Sequence, residues 1–237
     1  MGVIGCGRIA HHHVGGYGAD ERFHIVALAD VHAAAMDEMD TAFGLSTNHY
    51  VDAEQMLAAE GLDVVSVCTW HADHAPWTIA AARHRPRVIL CEKPMAEDLG
   101  HASNMRDVCA RFGVRLAIAH QRRFLPAFTL ARQLIADGAI GGVDLIVCCS
   151  GHGLPNWSTH LTDMFRYLLG DDECEWVMGG IERKTVAEEW LPGLSIGYQA
   201  SDDWFVYANA QRSLRVPQVF QIVRDGVVQA EISRNYE

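Results

Sequence analysis

The residues best equipped for chemistry stand at the end of the run Arg87–Pro94, Arg-Val-Ile-Leu-Cys-Glu-Lys-Pro. The apolar stretch reads as a strand buried on both faces, of the kind found in a parallel sheet. A carboxylate, an ammonium and a proline follow it without a break. Ligands of open α/β sheets bind outside the carboxyl ends of strands, so this strand delivers Lys93 to a position where a reacting oxygen can meet it. The plain alternative is a solvated lysine at a strand end. Only X–Pro bonds make a cis peptide cheap, so Lys93-Pro94 is also a place for a sharp turn.

A second group of residues opens the chain. Val3-Ile4-Gly5-Cys6-Gly7-Arg8-Ile9-Ala10 is a strand running into G-x-G-x-x-A. The first glycine permits the tight turn, and the second lets the backbone approach a pyrophosphate. Ala10 lets the next helix pack close to the sheet, with its N-terminus facing the phosphates. Gly5, Gly7, Arg8 and Ile9 are therefore expected to bind a dinucleotide. The next apolar run, 24–29, ends in Asp30, about twenty residues beyond the turn. A carboxylate there accepts hydrogen bonds from ribose hydroxyls and repels a 2′-phosphate, which favours NAD over NADP. Asp30 also reads as an N-cap for a helix over 31–43. His11-His12-His13 is not expected to be a metal site, because consecutive helical residues point about 100° apart; no metal is expected in the chain.

These residues need a scaffold, and the pattern around them supplies one. Strands near 48–51, 63–69, 87–91 and 115–119 alternate with helices over 33–43, 52–60, an alanine-rich stretch ending at Arg83, and 98–112. Repeated βαβ units imply a doubly wound parallel sheet. Thr69, Trp70 and His74 follow the strand at 63–69 and border the expected crevice. Trp70 reads either as a wall for the cofactor or as packing, and His74 as a ligand or as a helix-end histidine bonded to backbone. From His120 the pattern changes: helices over 126–137 and 158–169, a strand over 143–150, then strands over 175–183, 194–200, 204–210, 218–223 and 227–232. Asp225-Gly226 marks the last turn. The expected organisation is therefore a dinucleotide-binding domain over 1–119 and an α+β domain over 120–237 with a mainly antiparallel, open-faced sheet. Residues 182–190 are polar and expected to form a loop. Cys148, Cys149 and His152 are not expected to share a metal, since adjacent strand residues face opposite ways.

Composition sets the outer limits. The chain has 237 residues and a formal charge of −11, which argues against a nucleic-acid partner. No apolar run reaches the length of a membrane span. Seven cysteines without C-x-x-C spacing, several inside apolar runs, read as buried thiols in a reducing cytoplasm. The first residues already read as strand and glycine turn, and both ends read as cut, so a fragment of a longer protein is expected.

Taken together, these motifs resemble the glucose–fructose oxidoreductase / inositol dehydrogenase / rhizopine-catabolism family (Gfo/Idh/MocA). The resemblance spans about residues 2 to 183 and rests on several features in order: Gly5-x-Gly7-x-x-Ala10, Asp30, Thr69-x-x-x-x-His74, Glu92-Lys93-Pro94, Gln121-Arg122-Arg123-Phe124-x-Pro126, Ile140-Gly141 and Trp157–Asp163 with its His-x-x-Asp. Trp70 stands where the family usually has proline. The resemblance implies hydride transfer between nicotinamide and a hydroxyl-bearing carbon of a sugar or polyol. It implies Lys93 and His160 as catalytic residues, His160 being the base, and Glu92 and Lys93 beside the cofactor. Asn156, Asp163 and Arg123 are implied at the substrate, and a homodimer or homotetramer through the second sheet. Asn156 replaces the family's usual aspartate four residues before the histidine; an amide binds a hydroxyl but takes no proton. His160 also reads as a helix residue packed on the sheet beside Asp163. Two other readings stand beside the dehydrogenase: a member that binds nucleotide without turnover, and an NAD-dependent glycoside hydrolase.

Overall fold

The structure, a computed structural model, describes residues 1–150, 154–186, 189–201, 204–211, 218–224 and 227–234, with side chains at 1–148, 157–175 and 177. The chain divides into two compact units, Met1–Ala119 and His120–Glu237.

In the first unit β1 (Gly2–Ile4), α1 (Arg8–Gly18), β2 (Ala27–Ala29), α2 (Ala33–Phe43), β3 (Asn48–Tyr50), α3 (Ala53–Ala59), β4 (Val64–Val67), α4 (His71–Arg83), β5 (Val88–Cys91), α5 (Leu99–Phe112) and β6 (Arg115–Ile118) alternate without exception. The strands pair in the order β3-β2-β1-β4-β5-β6, all parallel. This is the doubly wound sheet that the alternation predicts, with strand order reversing between β1 and β4. Successive strand residues face opposite ways, and the burial follows that period. Val3, Leu28 and Cys68 pack with Ala10, Val14, Met36 and Met39 of α1 and α2. Ile4, Ala29, Val67 and Cys91 pack on the other face with α3, α4 and α5. Asp52 caps α3 through the Glu54 amide at 2.9 Å, and Asp98 caps α5 through His101 at 2.8 Å. Asp30 does not cap α2. His32 holds that position, and Asp30 instead accepts the His32 amide at 2.8 Å.

The second unit comprises a 3-10 turn (Gln121–Phe124), α6 (Pro126–Ala136), β7 (Leu145–Ser150), α7 (Leu154–Leu168) and β8 to β12 (Trp176–Val186, Glu189–Ser201, Trp204–Gln211, Gln218–Arg224, Val227–Arg234). The sheet order is β12-β11-β7-β10-β9-β8, antiparallel except for β7 beside β10. Phe128, Val143, Ile146, Leu161, Met164 and Phe165 form its core, with α7 against β7 and β10. α7 begins four residues earlier than the expected helix over 158–169, with Pro155 in its first turn, where the missing amide is no loss. The polar stretch 182–190 is not a loop over most of its length. β8 and β9 stay paired as far as Val186 opposite Glu189, and residues 187–188 lie outside the described residues. β8 is an edge strand, where backbone pairing carries the ladder and charged side chains discourage further pairing. Among the described residues no helix is long and apolar enough to cross a membrane.

Candidate functional site

In-register parallel pairing sets one row of residues along the carboxyl edge of the first sheet. The amides of Gly5, Cys68, Glu92 and Ala119 bond to Ala29, Ile4, Val67 and Cys91, and that of Asp30 to Tyr50. Asp30, Gly5, Cys68 and Glu92 thus lie one step beyond their strands, side by side across the point where strand order reverses. The turn between β1 and α1 is shaped by Gly5, with φ at +87°. A Cβ there would lie 2.9 Å from the Cys68 carbonyl and the Thr69 nitrogen, so both backbone angle and space demand glycine. Gly7 differs. It precedes α1 with an ordinary φ of −74°, and a Cβ on it would meet nothing within 4 Å. Arg8 is exposed and Ile9 half-buried on the helix that follows.

Asp30 is already engaged. One oxygen accepts the Cys6 amide of the glycine turn at 2.7 Å, the other the His32 amide. The carboxylate therefore ties the β1 turn to the β2 turn, and each oxygen keeps a lone pair for a further donor. Burial, followed by the charges of Asp30 and Asp40, pushes the Cys6 thiol up to about 12, which makes it a spacer and not a nucleophile.

At the end of β4 the Thr69 hydroxyl is buried and has no partner among the described residues. Trp70 precedes α4 with 82 % of its surface exposed. Buried polar groups need hydrogen bonds, so an orphaned hydroxyl at the edge where α/β sheets take ligands is a place reserved for one. Open space over Gly7, a forced glycine at position 5, lone pairs on Asp30 and the Thr69 hydroxyl together fit a dinucleotide. His74 does not offer itself as a ligand. It is fully buried, with Nδ1 2.7 Å from the Pro94 carbonyl and Nε2 3.1 Å from that of Thr69. Both ring nitrogens face backbone, the arrangement of a helix-end histidine bonded to backbone.

Lys93 sits between Glu92, which is buried, and Pro94, joined to it by a cis peptide. One Glu92 oxygen accepts the Lys93 amide at 3.1 Å; the other lies 2.9 Å from His13 Nε2. His71, the first residue of α4, has its imidazole held below the usual range by burial, with His74 and then the Lys93 ammonium adding to the effect. The three adjacent histidines diverge: His13 turns to the sheet, while His11 lies against Phe43 with ring centroids 5.8 Å apart. Sequence reasoning missed His13. The signal was Ser66, the hydroxyl in an otherwise apolar buried strand, which needed a partner from the helix above.

In the second unit His160 is 6 % exposed on α7, edge-on to Trp157 at 5.9 Å and to His120 at 6.3 Å between centroids. His120 Nδ1 lies 3.6 Å from Asp163, too far for a direct bond. Asp163 belongs to Arg123, whose Nε meets its two oxygens at 2.9 and 3.0 Å. The same guanidinium reaches Asp171 at 2.8 and 3.2 Å and lies over the Tyr167 ring. These bonds push the arginine's proton affinity further up and hold the Asp171 carboxyl below the usual range. Arg123 and Asp163, expected at the substrate, are thus committed to each other in a clamp between the 3-10 turn and α7. A paired, hydrogen-bonded charge gives up its partner only at a cost. Asn156 lies in the first turn of α7, and its side chain, like those of Cys149 and His152, falls outside the described residues.

The profile of the oxidoreductase family with an NAD-binding Rossmann fold (Gfo/Idh/MocA) matches residues 1–120. The chain belongs to this family. Inositol 2-dehydrogenase of Rhizobium meliloti is 30% identical to this Gfo/Idh/MocA member over 186 residues, 73% of the chain and 55% of the relative. D-Apiose dehydrogenase of Paraburkholderia graminis is 34% identical over 139 residues, 59% of the chain and 36% of the relative. The chain therefore spans between a third and just over half the length of these two proteins. A probable dehydrogenase of Thermotoga maritima superposes with a TM-score of 0.83 over 98% of the chain and 74% of its own length, at 21% identity, a likeness of fold.

Proposed function

We propose that the protein is an NAD-dependent dehydrogenase acting on a hydroxyl-bearing carbon of a sugar or polyol. The observation that carries this reading is the row at the carboxyl edge of the first sheet, where a glycine turn, the Asp30 carboxylate and Glu92, followed by Lys93, stand side by side. Bound nicotinamide supplies the hydride acceptor. The chain's residues do the rest. Gly7 and the start of α1 receive the pyrophosphate, Asp30 the ribose hydroxyls, and Thr69 a further polar group of the nucleotide. Asp30 disfavours a 2′-phosphate by charge, so NAD is preferred to NADP. Loss of a hydride from a carbinol requires its proton to leave as well. Lys93 hydrogen-bonds that oxygen, His160 takes the proton, and Asn156 binds a neighbouring hydroxyl. Arg123 and Asp163 hold the 3-10 turn against α7, which keeps the histidines of that cluster in place.

The names of two relatives, an inositol dehydrogenase and an apiose dehydrogenase, support this compound class. Among the described residues, the buried cysteines Cys6, Cys68, Cys91 and Cys109 stand as thiols, which supports a reducing, cytoplasmic setting. A homodimer or homotetramer through the second sheet belongs to the same reading.

The test is a titration with NADH and NADPH followed by nicotinamide fluorescence, then NAD reduction across a panel of inositols, apiose and hexoses. Tight NADH, weak NADPH and reduction by a panel member support the reading. Binding of neither nucleotide removes it. Binding without any reduction favours the non-catalytic member, and NAD that survives gel filtration with cleavage of a glycoside favours the hydrolase.

A further inference from the structure

Two histidines from different helices, His74 buried and His13 half-buried, hold the residues on either side of Lys93. On the face covered by α1 and α2, His13 bridges two strands. Its Nδ1 lies 2.8 Å from Ser66 Oγ on β4 and its Nε2 2.9 Å from Glu92 Oε1 beyond β5. Tyr17, one turn further along α1, places its hydroxyl 3.1 Å from the same serine. The side chains of His13 and Glu92 are 8% and 6% exposed. A carboxylate only accepts, so His13 Nε2 donates to Glu92, and Nδ1 joins this bond to the Ser66 and Tyr17 hydroxyls. Burial raises the affinity of the Tyr17 phenol for its proton. The second oxygen of Glu92 accepts the Lys93 amide. On the face covered by α4, His74 donates to the Pro94 carbonyl at 2.7 Å, with the Thr69 carbonyl on its other side.

We propose that His13 and His74 are positioning residues for Lys93: His13 fixes Glu92 from one face of the sheet, His74 fixes Pro94 from the other, and the lysine between them is aimed by both. The inference rests on the role given to Lys93 above. A lysine side chain has four rotatable carbons and a point charge, so its aim is set by how firmly its backbone is held. A misplacement of about 1 Å costs on the order of 10²-fold in rate, whereas a merely structural contact would show as lost stability, from a buried carboxylate left without its donor, with kcat unmoved.

The test uses the full chain with substitutions at positions 13, 74 and 93. His13→Leu is expected to lower kcat about 10- to 100-fold with NADH affinity unchanged, and His13→Gln, which keeps a donor toward Glu92, to restore most of it. In a Lys93→Met background His13→Leu should have no further effect, since it acts through the lysine. His74→Leu and His74→Asn should behave as the corresponding pair. An equal loss with and without Lys93, or wild-type kcat in His13→Leu and His74→Leu, overturns the proposal. Wild-type turnover in Lys93→Met alone instead overturns the reading of the lysine itself. A readout independent of turnover comes from composition, because Lys93 and Lys184 are the chain's two lysines. Reductive methylation with 13C-formaldehyde gives one signal for each plus the terminal amine, and Lys93→Met assigns them. The Lys93 signal should shift in His13→Leu and return in His13→Gln while Lys184 stays fixed; an unmoved Lys93 signal overturns the proposal. If His13→Leu does not fold, Glu92→Gln reads the same coupling from the other end of the bond.

Discussion

Lys93 is one of two lysines among 19 lysines and arginines, and the proton-sharing role proposed for it is one in which an amine differs from a guanidinium. An arginine cannot give up its proton in a protein, whereas a lysine can share one with a substrate oxygen. Lys93→Met should leave NADH binding nearly intact and cut turnover by two to four orders of magnitude, roughly the worth of a positioned acid–base group; steady-state kinetics beside a fluorescence titration checks both halves. Beside its proposed reading of the ribose, Asp30 has a duty that only the geometry reveals: it ties Cys6 to His32. Asp30→Ser should therefore raise the NADP-to-NAD ratio of kcat/KM and also lower stability by about 1 kcal/mol, the net worth of the part-buried bond to the Cys6 amide. An unchanged cofactor ratio in the variant would mean that the ribose is read elsewhere, and an unchanged urea midpoint that the two turns are held by other bonds.

At the scale of elements, the β1–α1 turn separates two kinds of glycine. Gly5→Ala meets strained backbone and a carbonyl at 2.9 Å, so it should destabilise the fold by about 1–3 kcal/mol. Gly7→Ala meets open space and should leave thermal unfolding unchanged while weakening NADH binding; a loss of stability at Gly7, or unchanged NADH affinity there, would remove the pyrophosphate from this turn. Arg123 joins the 3-10 turn to α7 through Asp163 and Asp171. Because the Asp171 carboxyl titrates below its ordinary range in the folded protein, its contribution is present above the unfolded value of about 4 and disappears as pH falls through the lower folded value. The difference in Tm between wild type and Arg123→Gln should therefore be larger at pH 7 than at pH 3, and a difference independent of pH would place the arginine's worth in its packing on Tyr167. Helices and strands were legible in the sequence because a period of 3.6 or 2 is a local signal. The polar stretch 182–190 was not, since at an edge strand the backbone ladder outweighs side-chain polarity.

For the whole molecule, the second sheet sets the quaternary expectation. α7 covers one of its faces, and a second copy of the chain is the cover proposed for the other. Light scattering should give a mass of two or four chains, and a mass of one chain would remove the oligomer from the proposal. The sequence by itself determined the parallel sheet, the glycine turn, the placing of Asp30 about twenty residues on, and the delivery of Lys93 to a strand end. Each of these is written in a short stretch with its own period or spacing. Which groups grip that strand end was decided only in three dimensions. His13 meets Ser66 and Glu92 across 53 and 79 residues, and Arg123 meets Asp163 across 40. Pairings at such separations leave no periodic trace along the chain. They exist because strand register and helix packing bring one buried polar group within reach of another, and because a buried polar group without a partner costs too much to keep.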